Sequence, residues 1–203
     1  MDKGKLYIIS APSGAGKTSL VKQLISDLNQ ITVSVSHTTR EMRAGETHGK
    51  DYFFATIKEF QQMVTDQAFL EHAQVFDNFY GTSQQSVEYQ LDNGIDVILE
   101  IDWQGAQQVK KMLPNSLSIF ILPPSIDTLQ QRLEKRGQDD MVIIKLRMHE
   151  AVSEMSHCNE FDYLIVNDDF SQALSELRSI IVSQRLKKDR QLKQLGGLIE
   201  TLV

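Results

Sequence analysis

At 203 residues and 23.1 kDa the chain has the size of one ordinary domain, which excludes two independent domains and lets it bury roughly two-thirds of its unfolded surface. Apolar residues at 41%, with 11 Gly and 4 Pro, exclude a disordered, collagen-like or linker-dominated chain. A balance of 21 Lys and Arg against 27 Asp and Glu, net −6, argues against a broad face for nucleic acid or an anionic membrane and leaves room for a local basic pocket.

The apolar run Leu6-Tyr7-Ile8-Ile9, ending in a Gly-rich turn, predicts a strand buried on both faces. It is too short for a signal-peptide core, and no stretch reaches the about 18 uninterrupted apolar residues of a membrane span. A soluble, unprocessed protein is expected. Leu20, Val21, Leu24, Ile25 and Leu28 recur at helical spacing and predict a helix over 18–29. Between His37 and Tyr89 the residues are more polar and aromatic. Strand-like pieces at Tyr52 to Phe54 and Phe69 to Gln74 surround a helix near Lys58 to Val64, which reads as a subdomain inserted over 37–89. Asp96 to Ile101, Ser118 to Leu122 and Asp162 to Val166 repeat the buried-strand signature, each before a helical pattern. That alternation predicts an α/β fold with a parallel sheet and helices on both faces, its core spanning 1–36, 90–124 and 156–203. Two helical patterns separated by Arg136-Gly137-Gln138-Asp139-Asp140 predict a helical hairpin over 125–155. Cys158, the only cysteine, allows neither an internal disulfide nor a cysteine metal cluster, so a reducing cytoplasmic setting is expected. Phe170, Ala173, Leu174, Leu177, Ile180 and Ile181 predict a final packing helix. The basic run Lys187-Lys188-Asp189-Arg190 reads as its solvated end, where cations suit the dipole.

Ala11-Pro12-Ser13-Gly14-Ala15-Gly16-Lys17-Thr18 matches G-x-x-x-x-G-K-[ST] except that Ala replaces the first Gly. A buried strand before it and an amphipathic helix after it aim backbone N–H groups and a helix N-terminus at one point, an anion cradle. Lys17 would reach the terminal phosphates, and Thr18 would place its hydroxyl on Mg²⁺. The candidate ATP contacts are therefore Ser13, Gly14, Ala15, Gly16, Lys17, Thr18 and Ser19.

The inserted segment bears on what receives the phosphoryl group. Ser36, Arg40, Arg43, Tyr52, Glu71, Tyr80 and Thr82 gather guanidinium groups, phenols, a carboxylate and hydroxyls outside the sheet core. Arg forks bind phosphate bidentately and phenols add uncharged donors, so Arg40, Arg43, Tyr52 and Tyr80 form a candidate monophosphate clamp.

These residues lie within motifs that resemble guanylate kinases over nearly the whole chain: the APSGAGKT loop, SVSHTTR with Arg43, GKDYFF, FLEHA, YGTS, EIDWQG, ILPPS, EKRG with Arg147 eleven residues on, and IVNDD. The resemblance implies a P-loop nucleoside monophosphate kinase fold with an inserted GMP-binding subdomain and a mobile lid. It implies that Ser36, Glu71 and Thr82 contact guanine, while Arg40, Arg43, Tyr52 and Tyr80 hold the GMP phosphate. Chemistry supports Glu71 independently. Guanine offers N1–H and N2–H donors on one edge to two carboxylate oxygens, whereas adenine presents an N1 acceptor that a carboxylate repels.

Glu100 and Asp102 end a buried strand, at the carboxyl edge where open α/β sheets bind ligands. By resemblance this pair serves the Mg²⁺ and nucleotide end of the site and is grouped with the GMP contacts, with the carboxylate nearer the metal left open. The same resemblance assigns Arg136 and Arg147 of the hairpin to the phosphates on lid closure, and Asn167 to the adenine side. Lys17, Arg40, Arg136 and Arg147 are the expected catalytic residues, acting by charge neutralisation. His37, His72 and Trp103 read as packing residues. The expected reaction is γ-phosphoryl transfer from ATP to GMP or dGMP with Mg²⁺, without nucleic-acid or membrane partners. A noncatalytic protein-binding module of the same fold and a P-loop kinase for another phosphorylated small molecule are the alternatives, and oligomeric state stays open.

Overall fold

The computed structural model describes residues 3–75, 77–136 and 141–202, with the side chains of 136, 141 and 142 outside the described set. The chain opens with β1 (Leu6–Ser10), α1 (Lys17–Asp27) and β2 (Ile31–Val33). A second group follows: β3 (His37–Thr38), β4 (Phe53–Phe54), α2 (Ile57–Thr65), β5 (Phe69–Val75), β6 (Asn78–Ser83) and α3 (Gln84–Asp92). Then come β7 (Asp96–Glu100), α4 (Trp103–Met112), β8 (Leu117–Leu122), α5 (Ile126–Arg136), α6 (Met141–Ser156), β9 (Tyr163–Val166), α7 (Phe170–Arg185) and α8 (Lys188–Leu202).

Five strands form a wholly parallel sheet in the order β2-β7-β1-β8-β9. Strand alternation sends Tyr7 and Ile9 to one face, where they meet Leu20, Val21 and Leu24 of α1 and Ala173, Leu177 and Ile181 of α7. Leu6 and Ile8 point to the other, against Val87 and Leu91 of α3 and Ala106 and Val109 of α4. The expected sheet with helices on both faces is therefore present, and its central strand is buried throughout because neither face meets water.

A separate four-stranded sheet, β4-β3-β6-β5, is mixed: β3 and β4 run parallel, while β3–β6 and β5–β6 are antiparallel. Its small core is aromatic, with Phe60 stacked on Phe69 and Phe79, and His37 stacked on Phe53 at 4.8 Å. α2 is fixed by a reciprocal cap between Thr56 and Glu59. β5 joins this sheet to the main core. Leu70 enters the α3–α4 cluster, and the Gln108 amide of α4 exchanges two hydrogen bonds with the His72 backbone, at 3.0 and 3.1 Å.

Two expectations are corrected. Asp162 to Val166 carries a buried-strand signature, but β9 is the last strand of the sheet and only Ile165 is buried, Leu164 and Val166 each being 49% exposed. An edge strand has a neighbour on one side only, which sequence composition does not reveal. The basic run after α7 is solvated at Lys187, Lys188 and Asp189 but not at Arg190. It opens α8, and Arg190 reaches the fully buried Asp96 at 3.1 Å. Asp96 also accepts from Arg185 Nε and from the Lys5 backbone N–H, both at 2.8 Å, so it ties α7 and α8 to the N-terminal edge of the sheet. Among the described residues no helix is long and apolar enough to cross a membrane.

Asp96→Ala should therefore leave two guanidinium groups without their carboxylate and lower stability by about 3–5 kcal/mol in urea unfolding. A loss under about 1 kcal/mol would show that the cluster holds nothing together.

Candidate active site

The turn after β1 needs glycine at two points. Gly14 and Gly16 have φ of 93° and 94°, left-handed values that side chains disfavour. Gly16 stands at the N-cap of α1 and, having no side chain, offers no cap hydrogen bond to the first N–H groups of the helix. A Cβ at Gly16 would lie 2.3 Å from Asn167 Nδ2, and a Cβ at Gly14 would lie 3.0 Å from Leu129 of α5. Asn167 is buried and its Nδ2 donates to the Ala15 carbonyl at 2.6 Å, while Arg132 donates to the Asn167 carbonyl at 2.9 Å. Asn167 thus braces the loop from behind. Ala15 is buried, Lys17 half-buried, and Ser13, Thr18 and Ser19 are exposed along the cradle.

Parallel pairing places Glu100 beside Ile9 at the carboxyl end of the sheet. There Thr18 Oγ1 donates to Glu100 Oε2 at 3.0 Å, linking the loop to β7. Asp102 caps α4 by accepting from the Gly105 N–H at 2.8 Å. One of its oxygens is therefore engaged in holding the helix.

The second cluster stands on the small sheet. Glu71 and Thr82 are register partners across β5 and β6, 4% and 0% exposed, and Thr82 Oγ1 donates to Glu71 Oε1 at 2.5 Å. Burial lifts the Glu71 carboxyl to about 7, with the nearby Asp102 charge adding to the rise and the Thr82 hydroxyl opposing it. Arg40, Tyr52 and Tyr80 come together: the Arg40 guanidinium lies 5.4 Å from the Tyr52 ring centre, and the two phenol rings are 6.0 Å apart. Burial is the main reason that the Tyr52 hydroxyl is pushed up, and the charge of Glu100 contributes, so Tyr52 lies within electrostatic reach of the first cluster. Ser36 is half-buried at the entry to β3, its carbonyl accepting from Phe53 N–H. Arg43 is exposed on the loop after β3.

Three participants were not singled out in the sequence. Glu46 accepts from Arg40 Nη2 at 2.7 Å and from the Arg43 N–H at 2.8 Å, which folds 40–46 into one arginine-bearing loop. Only its position within the polar insertion could have drawn attention to it. Glu154, on α6, has Oε2 buried without a partner; burial raises its carboxyl to about 7, Lys17 opposes the rise, and Asp102 and Glu150 add to it. It lies seven residues after Arg147 and so on the same helix face, the one available signal. Gly105 packs directly against Glu71. Arg147 is half-buried on α6, whereas the Arg136 side chain lies outside the described residues.

The glycine loop and α1 N-terminus at one sheet end, together with the buried carboxylate and the arginine–phenol group of the small sheet, coincide with a match of residues 3–184 to the sequence profile of guanylate kinases. The chain belongs to the guanylate kinase family. It is 59% identical to a guanylate kinase of Saccharophagus degradans over 98% of both chains, and 55% identical to one of Methylococcus capsulatus over the full length of each. The crystal structure of guanylate kinase from Anaplasma phagocytophilum superimposes with a TM-score of 0.77 at 34% identity, covering 96% of this chain and 94% of that one.

The Glu71 environment carries a pH signature. Its folded value near 7 lies above the ordinary 4.5, so the folded state binds the proton more tightly. The stability this supplies is complete below about pH 4.5 and is lost as pH rises through about 7. In urea unfolding at pH 5 to 8, Glu71→Gln should remove about 2–3 kcal/mol of that decline. Equal slopes in variant and wild type would place the titrating group elsewhere.

Proposed function

We infer that this chain transfers the γ-phosphoryl group of ATP to GMP or dGMP, giving ADP and GDP or dGDP. The observation that carries this reading is the Glu71–Thr82 pair, a buried carboxylate with a neighbouring hydroxyl beside the Arg40–Tyr52–Tyr80 group. Two carboxylate oxygens match guanine N1–H and N2–H, and the arginine and phenols suit the attached phosphate. Ser36 belongs to the same purine pocket and Arg43 to the phosphate clamp. The protein-binding-module reading is not favoured, since Gly16, Lys17 and Thr18 are all in place at the head of α1.

The acceptor phosphate is already an anion, so the chain needs no base to remove a hydroxyl proton; its task is alignment and charge neutralisation. Residues 13–19 hold the ATP phosphates by backbone N–H groups and the α1 N-terminus, with Lys17 set against the terminal phosphates. The Thr18 hydroxyl and the adjoining Glu100 carboxylate are hard oxygen donors that fit Mg²⁺, and Asp102 stands nearby. Mg²⁺ bound there would offset charge on the β and γ phosphates. Arg136 and Arg147 approach the phosphates as the hairpin closes and water is excluded. Leu129 and Leu133 are fully buried and the side chains of both pack beside Gly14, so the moving part of the 125–155 lid begins after Leu133. Asn167 serves the ATP side by bracing the loop. A cytoplasmic setting, with no nucleic-acid or membrane partner, agrees with a single thiol and a net charge of −6.

ADP formation measured with GMP, dGMP, AMP, UMP or no acceptor tests this reading in wild type and Glu71→Gln. Wild type should use GMP and dGMP far above the others. The variant, with an amide donor facing a guanine donor, should lose at least about tenfold in kcat/KM for GMP. AMP should gain relative to GMP, and the ATP KM should hold. An unchanged GMP-to-AMP ratio would falsify the assignment of Glu71.

A further inference from the structure

Gly105 is the third residue of α4 and is buried, with helical backbone that any L-residue adopts. Alanine is the better helix former at such a position, so backbone freedom does not explain the glycine. Space does. A Cβ at 105 would lie 2.7 Å from Glu71 Oε2, 3.3 Å from Glu71 Cδ and 3.3 Å from Ile101 Cδ1. Carbon and oxygen do not approach to 2.7 Å without one of them moving. The carboxylate has little freedom to yield locally, since it is 4% exposed and its other oxygen is held by Thr82 at 2.5 Å. The Gly105 N–H also donates to Asp102 Oδ1 at 2.8 Å, so one residue seats both acids of this corner.

We propose that Gly105 is a positioning residue for purine selection: its missing side chain is the space that lets the Glu71 carboxylate stand where both oxygens face the base. This rests on Glu71 as the guanine contact. Two parallel hydrogen bonds tolerate little sideways displacement, so a methyl group that pushes the carboxylate off Thr82 misaligns at least one of them. The P-loop lies outside the reach of that methyl group and ATP binding is untouched.

Steady-state kinetics of Gly105→Ala, Glu71→Asp and the double variant, with GMP and ATP varied separately, test the proposal. Gly105→Ala should raise the GMP KM at least tenfold, change the ATP KM less than twofold and lower the thermal midpoint, since the helix preference of alanine does not offset the clash. Glu71→Asp should also weaken GMP, because the shorter acid withdraws from the base. Adding Gly105→Ala to Glu71→Asp should then cost less than threefold, since the withdrawn carboxylate clears the methyl group. Should Gly105→Ala fail to fold, recovery of folding in the double variant supports the same clash, and failure of both to fold overturns it. An unchanged GMP KM, a parallel rise in ATP KM, or an equal effect with Asp at 71 would each overturn the proposal. Kinetics of Glu71→Gln separate the two ideas. If that variant loses its preference for GMP over AMP while Gly105→Ala does not, this inference alone fails. If Glu71→Gln keeps the preference, the reading of Glu71 fails first.

Discussion

A carboxylate held almost wholly out of water, with no cation among its charge neighbours, is the constraint around which this structure is arranged. Burying an unpaired charge is expensive, and the Thr82 hydroxyl alone does not offset it. Glu71 is nonetheless fixed there by three elements at once. The β5–β6 register puts Thr82 opposite it, Leu70 anchors the strand in the α3–α4 cluster, and Gly105 keeps α4 out of its volume. The carboxyl group is thereby held with one oxygen on the Thr82 hydroxyl and the other against Gly105.

The rest of the charge distribution follows the same division. Cationic and N–H groups gather at two places, the α1 N-terminus with Lys17 and the Arg40 loop folded by Glu46, while Glu100, Asp102 and Glu154 lie between or beside them. In a chain of net charge −6 these cations converge locally, while Glu100 accepts from a hydroxyl and Asp102 caps a helix. At the opposite end of the sheet, Asp96 with Arg185 and Arg190 secures the closing helices. The candidate site and the anchoring cluster thus occupy opposite ends of one parallel sheet, as the strand polarity allows.

Much of this was legible in the residues. β1, the phosphate loop and α1 announce themselves through local rules, an apolar run, glycines at left-handed positions and helical spacing. Glu71 could be nominated as a base contact from the chemistry of guanine and from family resemblance, and the structure finds it buried. What escaped depends on partners distant in sequence. β6 was missed because NFYGTS is mixed in character, and its strand identity comes from pairing with both β3 and β5. The exposure of β9 depends on sheet order, and the role of Arg190 on a carboxylate 94 residues away. Gly105 looked like an ordinary weak point in a helix until the Glu71 oxygen was seen beside it.

The central claim is that Glu71 is a buried, unpaired acid completed by guanine. Its free carboxyl titrates near 7, so the free protein at pH 7 is partly protonated there, and two guanine donors would favour the ionised form. Calorimetry of GMP binding at pH 7, repeated in buffers of different ionisation enthalpy, measures the linked proton directly. The account predicts release of a fraction of a proton, growing as pH falls toward 6 and reduced in Glu71→Gln to the share that the GMP phosphate, titrating at about 6, gives up itself. Proton release that persists unchanged in that variant, or none in wild type, would contradict it.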